Sequence, residues 1–238
     1  QRQMCIRDSL RDVLEFYAEF SMQTPDELAA DLVLAYPPAG KPPVVILALC
    51  YSGDKSRADA AMSAVRKLGK PMVGEIRPTD NVALQKSGDS DAPRVNASYL
   101  KGGFTSEITP ALIDTIIAVM QQHPRRRSMI IFQQAGGEIG RVATNATAFA
   151  HRYAQHNMVL TMAWQPDEPR DEHVKAIKSS WAQLMPHTHG FYVNEADDDN
   201  ASLVDKNYQG NYARLLGIKK RYDPTNLFRL NANIDPTA

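Results

Sequence analysis

The stretch from Gly190 to Pro236 says most about the fold: GFYVNEADDDNASLVDKNYQGNYARLLGIKKRYDPTNLFRLNANIDP. Within it, Tyr192 and Asn194 are two residues apart and alternate with the apolar Phe191 and Val193. Because side chains alternate between the two faces of a strand, a strand here would place the phenol and the amide together. Taken alone, the pair is more simply interpreted as two packed polar side chains, which need hydrogen-bond partners when buried.

The end of this stretch carries a second set of predictions. A helix is built on four apolar and aromatic positions and is stopped by Asp223-Pro224: Tyr208, Tyr212, Leu215 and Leu216. Leu227-Phe228 are predicted core anchors. Asn231 and Asn233 alternate with apolar residues, and this pattern is consistent with a strand that ends the domain.

The order of these features resembles a known family signature. Tyr-x-Asn, a Tyr-rich helix, YDPTNLFR (222–229) and NANI (231–234) resemble the C-terminal pattern of the berberine bridge enzyme-like FAD-linked oxidases. Upstream, GGEIGRV (136–142) and FAHR (149–152) match a second block of that family, although His151 and Arg152 are interpreted as structural residues. The resemblance extends in order from Leu10 to Pro236.

The resemblance implies an FAD-dependent oxidoreductase that oxidises a small organic substrate by hydride transfer to flavin. It implies that Tyr192 accepts the substrate proton and that three amides bind the flavin: Asn194, Asn231 and Asn233. Gln85 matches the central segment and is a candidate for the substrate pocket. Plant members place a Glu or Gln base where this chain has Met158–Thr161, which leaves Tyr192 as the main acid-base candidate.

The same resemblance predicts how the chain is divided. Residues 10–189 form a substrate-binding domain, residues 190–238 complete the flavin site, and residues 1–9 (QRQMCIRDS) are interpreted as a non-native tail. Family members hold FAD mainly in an N-terminal domain, and we expect that missing domain of the same chain to be the partner of this part. A targeting signal upstream would not be visible, and a cytoplasmic location is favoured.

Hydrophobic periodicity predicts an α+β fold. Strand and helix patterns alternate, with strands such as Val44–Tyr51 and Ile139–Ala143 and a helix over Thr109–Gln122. Several connections are too short for parallel crossovers. We therefore expect a mostly antiparallel β-sheet with helices packed on one face.

Composition argues against several other classes of function. Lys and Arg total 27 and Asp and Glu total 27, so no basic field favours nucleic acid. Apolar runs are too short for a membrane span, and His187 and His189 lack the Cys or carboxylate partners of a metal site. A stand-alone small-molecule-binding α+β module without redox activity is the alternative, and a flavin domain encoded upstream would distinguish the two.

Overall fold

The computed structural model describes residues 2–4, 10–36, 43–68, 76–87, 89, 96–122, 127–195, 203–230 and 232–238. The strands in these ranges are β1 (Arg2–Met4), β2 (Leu28–Tyr36), β3 (Val44–Tyr51), β4 (Ala97–Thr105), β5 (Arg127–Gln134) and β6 (His156–Trp164). The helices are α1 (Leu10–Met22), α2 (Ala58–Ala61), α3 (Ser63–Arg66), α4 (Asn81–Lys86), α5 (Pro110–Gln121), α6 (Glu138–Arg141), α7 (Arg170–Leu184), α8 (Val204–Tyr208) and α9 (Tyr212–Tyr222).

The strands form one sheet in the order β1-β3-β2-β5-β6-β4. Every pairing within it is antiparallel, including that of β5 with β6, in which Phe132 lies opposite Met158. The predicted α+β fold with a mostly antiparallel sheet is therefore confirmed.

One face of the sheet is covered by helices, and we call it the covered face. Its side chains alternate along the strands and are fully buried, as at Leu32, Phe132 and Leu160. Helices α1, α5 and α7 pack there because each presents an apolar stripe at helical spacing. Thr109 caps the N-terminus of α5, because its side-chain oxygen accepts a hydrogen bond from the Leu112 amide at 3.2 Å.

The opposite face carries polar side chains, and we call it the open face. Asp31 on β2, Gln133 on β5 and Asn157 on β6 point to this side, since each alternates with a residue of the covered face. Asp31 is half-buried and Gln133 is exposed. No helix of the part of the chain that the structure describes is long and apolar enough to cross a membrane.

Two local predictions differ from the structure. Ile139–Ala143 was predicted to be a strand, but the chain there forms the short helix α6. Gly137 precedes it at φ 62°, a left-handed conformation that turns the chain out of an extended path. The sequence also does not predict β4, because Gly102 and Gly103 lower the β propensity of that segment.

Candidate functional site

The Tyr192–Asn194 pair lies on a tight turn rather than on the predicted strand. Residues Val193–Glu195 form a single 3-10 turn, closed by a hydrogen bond from the Glu195 amide to the Tyr192 carbonyl at 2.9 Å. The two side chains still meet, because the Asn194 amide Nδ2 donates to the Tyr192 hydroxyl at 2.6 Å. Tyr192 is 39% exposed, so its phenol remains accessible from solvent.

Neighbouring contacts explain why the strand prediction was wrong. Gly190 has φ 65°, and a Cβ there would lie 2.2 Å from His151 Cε1, so the chain must turn at a glycine. The Phe191 amide, which a β-ladder would use, donates instead to Asn207 Oδ1 at 2.8 Å. The buried Phe191 ring then anchors the start of the turn.

The block around His151 supports this turn from behind. His151 is 3% exposed, and its Nε2 lies 2.9 Å from the same Asn207 oxygen. Burial lowers the pKa of His151, while the bond to Asn207 partly opposes the shift. Arg152 donates to the carbonyls of Phe149 and Ile139 at 3.2 and 3.0 Å. These contacts support the structural interpretation of both residues.

Sequence reasoning missed the carboxylate of Glu195. Its oxygens accept hydrogen bonds from Asn157 Nδ2 at 3.2 and 3.3 Å, on the open face of β6. The hydrogen bond from the Glu195 amide to the Tyr192 carbonyl places the two residues at the two ends of one turn. A tight turn inferred from the flexible Gly190 would have been the only sequence feature that linked them.

A second carboxylate, Asp31, also lies on the open face. Its Oδ1 accepts a hydrogen bond from the Gln134 amide at 2.8 Å. Burial raises the pKa of Asp31, and the Gln134 bond partly offsets this. The strand segment Met158–Thr161 carries no carboxylate, as the sequence shows. The open face of the sheet nevertheless holds Asp31 and Glu195.

The predicted flavin-side amides of the C-terminal end are only partly described. Asn231 lies outside the described residues. Asn233 is half-buried, and its Oδ1 is a buried acceptor without a partner among the described residues. No strand forms over 232–238, in contrast to the alternation that was predicted.

The predicted core anchors of this end are wrong. Leu227 and Phe228 are 70% and 77% exposed. Their backbone amides are held by the Asp223 carboxylate at 2.7 and 3.0 Å, which fixes the chain path while the side chains point outward. Together with Tyr222 and Leu230, they form an exposed apolar surface at the C-terminal end.

The role of Gln85 in the substrate pocket stays a prediction, and the two spaced histidines lack the further ligands of a metal site among the described residues. Gln85 is exposed on α4, and within the described ranges no hydrogen bond links it to Tyr192 or Asn194. His187 Nε2 lies 3.2 Å from the Thr115 hydroxyl. No cluster of three or more metal-ligating side chains occurs among the residues that the structure describes.

The chemistry of these side chains fits the ring end of a flavin. A phenol, a neighbouring amide and the unpaired amide oxygen of Asn233 offer hydrogen bonds of the kind that flavin heteroatoms use.

Comparison with known proteins places this geometry in a family context. Residues 191–235, which contain the Tyr192 turn, match the family model described as berberine and berberine like. The chain is 26% identical over 218 residues to an FAD-linked oxidoreductase of Dictyostelium discoideum, an alignment that covers 91% of this chain and 46% of that protein. It is 25% identical over 170 residues to berberine bridge enzyme-like C-1 of Nicotiana tabacum, covering 54% of this chain and 29% of the other.

Solved structures give the same fold. The BBE-like 28 protein of Arabidopsis thaliana superposes with a TM-score of 0.78 at 20% identity, covering 98% of this chain and 55% of that one. The chain thus spans about half the length of this protein and of the Dictyostelium relative. The resemblance to the berberine bridge enzyme-like FAD-linked oxidases, which the C-terminal motif predicted, is confirmed.

Proposed function

We propose that this chain is the substrate-side part of an FAD-dependent oxidoreductase that oxidises a small organic substrate by hydride transfer to flavin. Residues 10–189 bind the substrate and residues 190–238 complete the flavin site. The observation that carries the proposal is that the family match at 191–235 contains the turn in which Asn194 contacts Tyr192 and from which Glu195 reaches the open face. The flavin domain is supplied by a preceding part of the same protein, in keeping with the greater length of the relatives.

In this proposal Tyr192 handles the substrate proton. When bound, the flavin takes up a hydride from the substrate carbon, and the proton of the substrate hydroxyl or phenol must leave at the same stage. Asn194 donates a hydrogen bond to the Tyr192 oxygen, and a donor at that position stabilises the negative charge that an ionised phenol carries. Tyr192 is thereby suited to accept or relay the proton.

In the same proposal, the ring end of the flavin is held by three side-chain amides: Asn194, Asn231 and Asn233. Asn233 supports this role because its buried oxygen has no partner among the described residues, and such an atom costs free energy until a donor reaches it. The exposed apolar surface formed by Tyr222, Leu227, Phe228 and Leu230 supports docking of a flavin domain, because large apolar patches are unusual on free surfaces.

The test is the visible spectrum of the purified protein expressed from its complete gene. We expect a flavin spectrum with stoichiometric FAD, and bleaching of the flavin band when a substrate reduces it without oxygen. The 238-residue chain alone should bind FAD weakly and show no dehydrogenase activity. A colourless complete protein that still binds small molecules would contradict the proposal and support a stand-alone binding module.

A further inference from the structure

The open face holds a small polar cluster that the proposed roles of Tyr192 and Asn194 do not use. Its centre is Asn157 on β6, which is 6% exposed. The Asn157 amide Nδ2 donates to Gln133 Oε1 at 2.9 Å and to the two Glu195 carboxylate oxygens at 3.2 and 3.3 Å. One amide group with two hydrogens therefore serves three acceptor oxygens.

The cluster contains more acceptors than donors. The Asn157 Oδ1 atom is buried and has no partner among the described residues. Within the same ranges no Lys or Arg forms an ion pair with Glu195, which is half-buried. Burial raises the pKa of Glu195, and the Asn157 bond only partly offsets this. Both groups would be stabilised by a further hydrogen-bond donor.

Gly102 on β4 lies against the cluster. A Cβ at Gly102 would lie 2.6 Å from Glu195 Oε2, so the glycine makes the space into which the carboxylate reaches. Glu195 and Tyr192 belong to one turn, since the Glu195 amide donates to the Tyr192 carbonyl at 2.9 Å. A molecule bound at this turn would thus be close to these acceptors.

We propose that Glu195 and Asn157 form a subsite that binds a hydroxyl or ammonium group of the substrate. The inference rests on the proposed function and adds the chemical class of the group recognised. The subsite supplies acceptor atoms and negative charge, so it selects ligands with hydrogen-bond donors and disfavours anionic ones. Glu195 acts here as a specificity residue that contacts the substrate.

The test uses three sugars that share one carbon skeleton. Glucose offers neutral hydroxyls, glucosamine adds an ammonium group, and glucuronate adds a carboxylate. The chain is labelled with ¹³C at the glutamate carboxyl carbons, and the Glu195 signal is assigned by its loss in Glu195→Gln. Each sugar is titrated while the ¹³C signal is followed, and affinities are measured in parallel by ligand-observed NMR.

We expect glucose and glucosamine to shift the Glu195 signal in a saturable way. Glucosamine should bind at least about tenfold more weakly to Glu195→Gln, which corresponds to the loss of one hydrogen bond to a charged acceptor. Glu172→Gln is the matched control, because Glu172 is exposed at the start of α7 on the other side of the sheet, and it should bind all three sugars as the unmodified chain does.

Three results would overturn the inference. The Glu195 signal could stay unmoved with every sugar, glucosamine could bind Glu195→Gln as tightly as the unmodified chain, or glucuronate could bind as tightly as glucose and glucosamine. The titration needs no flavin, so it is independent of the proposed redox function. A yellow, active complete protein with an unresponsive Glu195 refutes only the subsite. A responsive Glu195 in a protein that never binds FAD refutes only the oxidoreductase.

Discussion

The two faces of β5 and β6 carry different kinds of side chain, apolar on the covered face and polar on the open face. On the covered face Phe132 and Met158 are 0% exposed and lie opposite each other. One residue further along, on the open face, Gln133 and Asn157 are a hydrogen-bonded polar pair. The same strands therefore present an apolar layer to the helices and a polar layer to whatever approaches from the other side.

The titratable side chains also differ between the two faces. The open face holds Asp31 and Glu195, whose pKa values are both raised by burial. The covered face holds His156, whose ring lies between those of Tyr17 and Phe132. A carboxylate withdrawn from water lowers the free energy of unfolding unless a partner compensates for it. The open-face carboxylates are therefore expected to lower the stability of the fold, whereas the apolar covered face provides it.

The largest expected effect comes from breaking the covered face. Phe132→Ala removes a fully buried ring, and we expect the free energy of unfolding to fall by about 3–5 kcal/mol. Met129→Ala, on the same strand but 37% exposed on the open face, should cost about 1 kcal/mol or less. Urea denaturation of both variants measures the contrast, and equal losses would show that the two faces do not divide these roles.

The next effect is a pH dependence that arises from the covered face. Burial lowers the pKa of His156 to about 4, whereas an unfolded histidine titrates near 6.5. The unfolded chain therefore binds this proton first, so the stabilising contribution is complete above pH 6.5 and is lost as the pH falls toward 4. The loss amounts to about 3 kcal/mol.

A non-titrating variant isolates the histidine from other acid-sensitive groups. His156 Nε2 lies 2.9 Å from the Ser21 hydroxyl, and His156→Gln keeps a side-chain donor while removing the titration. Urea unfolding between pH 7.5 and 4 should show a shallower loss of stability in the variant. An identical slope in both proteins would mean that His156 is not the group that responds.

The architecture could be predicted from the sequence because the covered face repeats a strong local pattern. Periodic apolar residues predicted β3 and α5 close to their observed positions. The pattern fails at β4, where Gly102 and Gly103 have a low strand propensity but allow close approach of Glu195 and Thr188. These glycines are explained by Glu195 and Thr188, which lie far along the chain. A local sequence pattern contains no information on such contacts.

The site was predictable only in part, for a related reason. The sequence paired Tyr192 with Asn194 correctly but from the wrong geometry, since contacts with His151 and Asn207 fold this segment into a turn. Glu195 was missed because its partner Asn157 is on another strand. Leu227 and Phe228 were predicted to be core residues because the sequence alone does not distinguish an exposed apolar side chain from a buried one.

The smallest of the three effects tests the open face, in the complete flavin-loaded protein. Tyr192→Phe removes the hydroxyl and keeps the ring, so the partly exposed side chain should pack as before and the flavin content should be unchanged. Without its proton acceptor, flavin reduction in rapid-mixing experiments should slow by at least about 100-fold. Tyr51→Phe, at a half-buried tyrosine at the end of β3 that has no part in the proposed site, should reduce flavin at the normal rate. If Tyr192→Phe keeps its full flavin content and its flavin is reduced at the wild-type rate, Tyr192 is a packing residue. The carboxylates Asp31 and Glu195 would then be the next candidates for the proton acceptor.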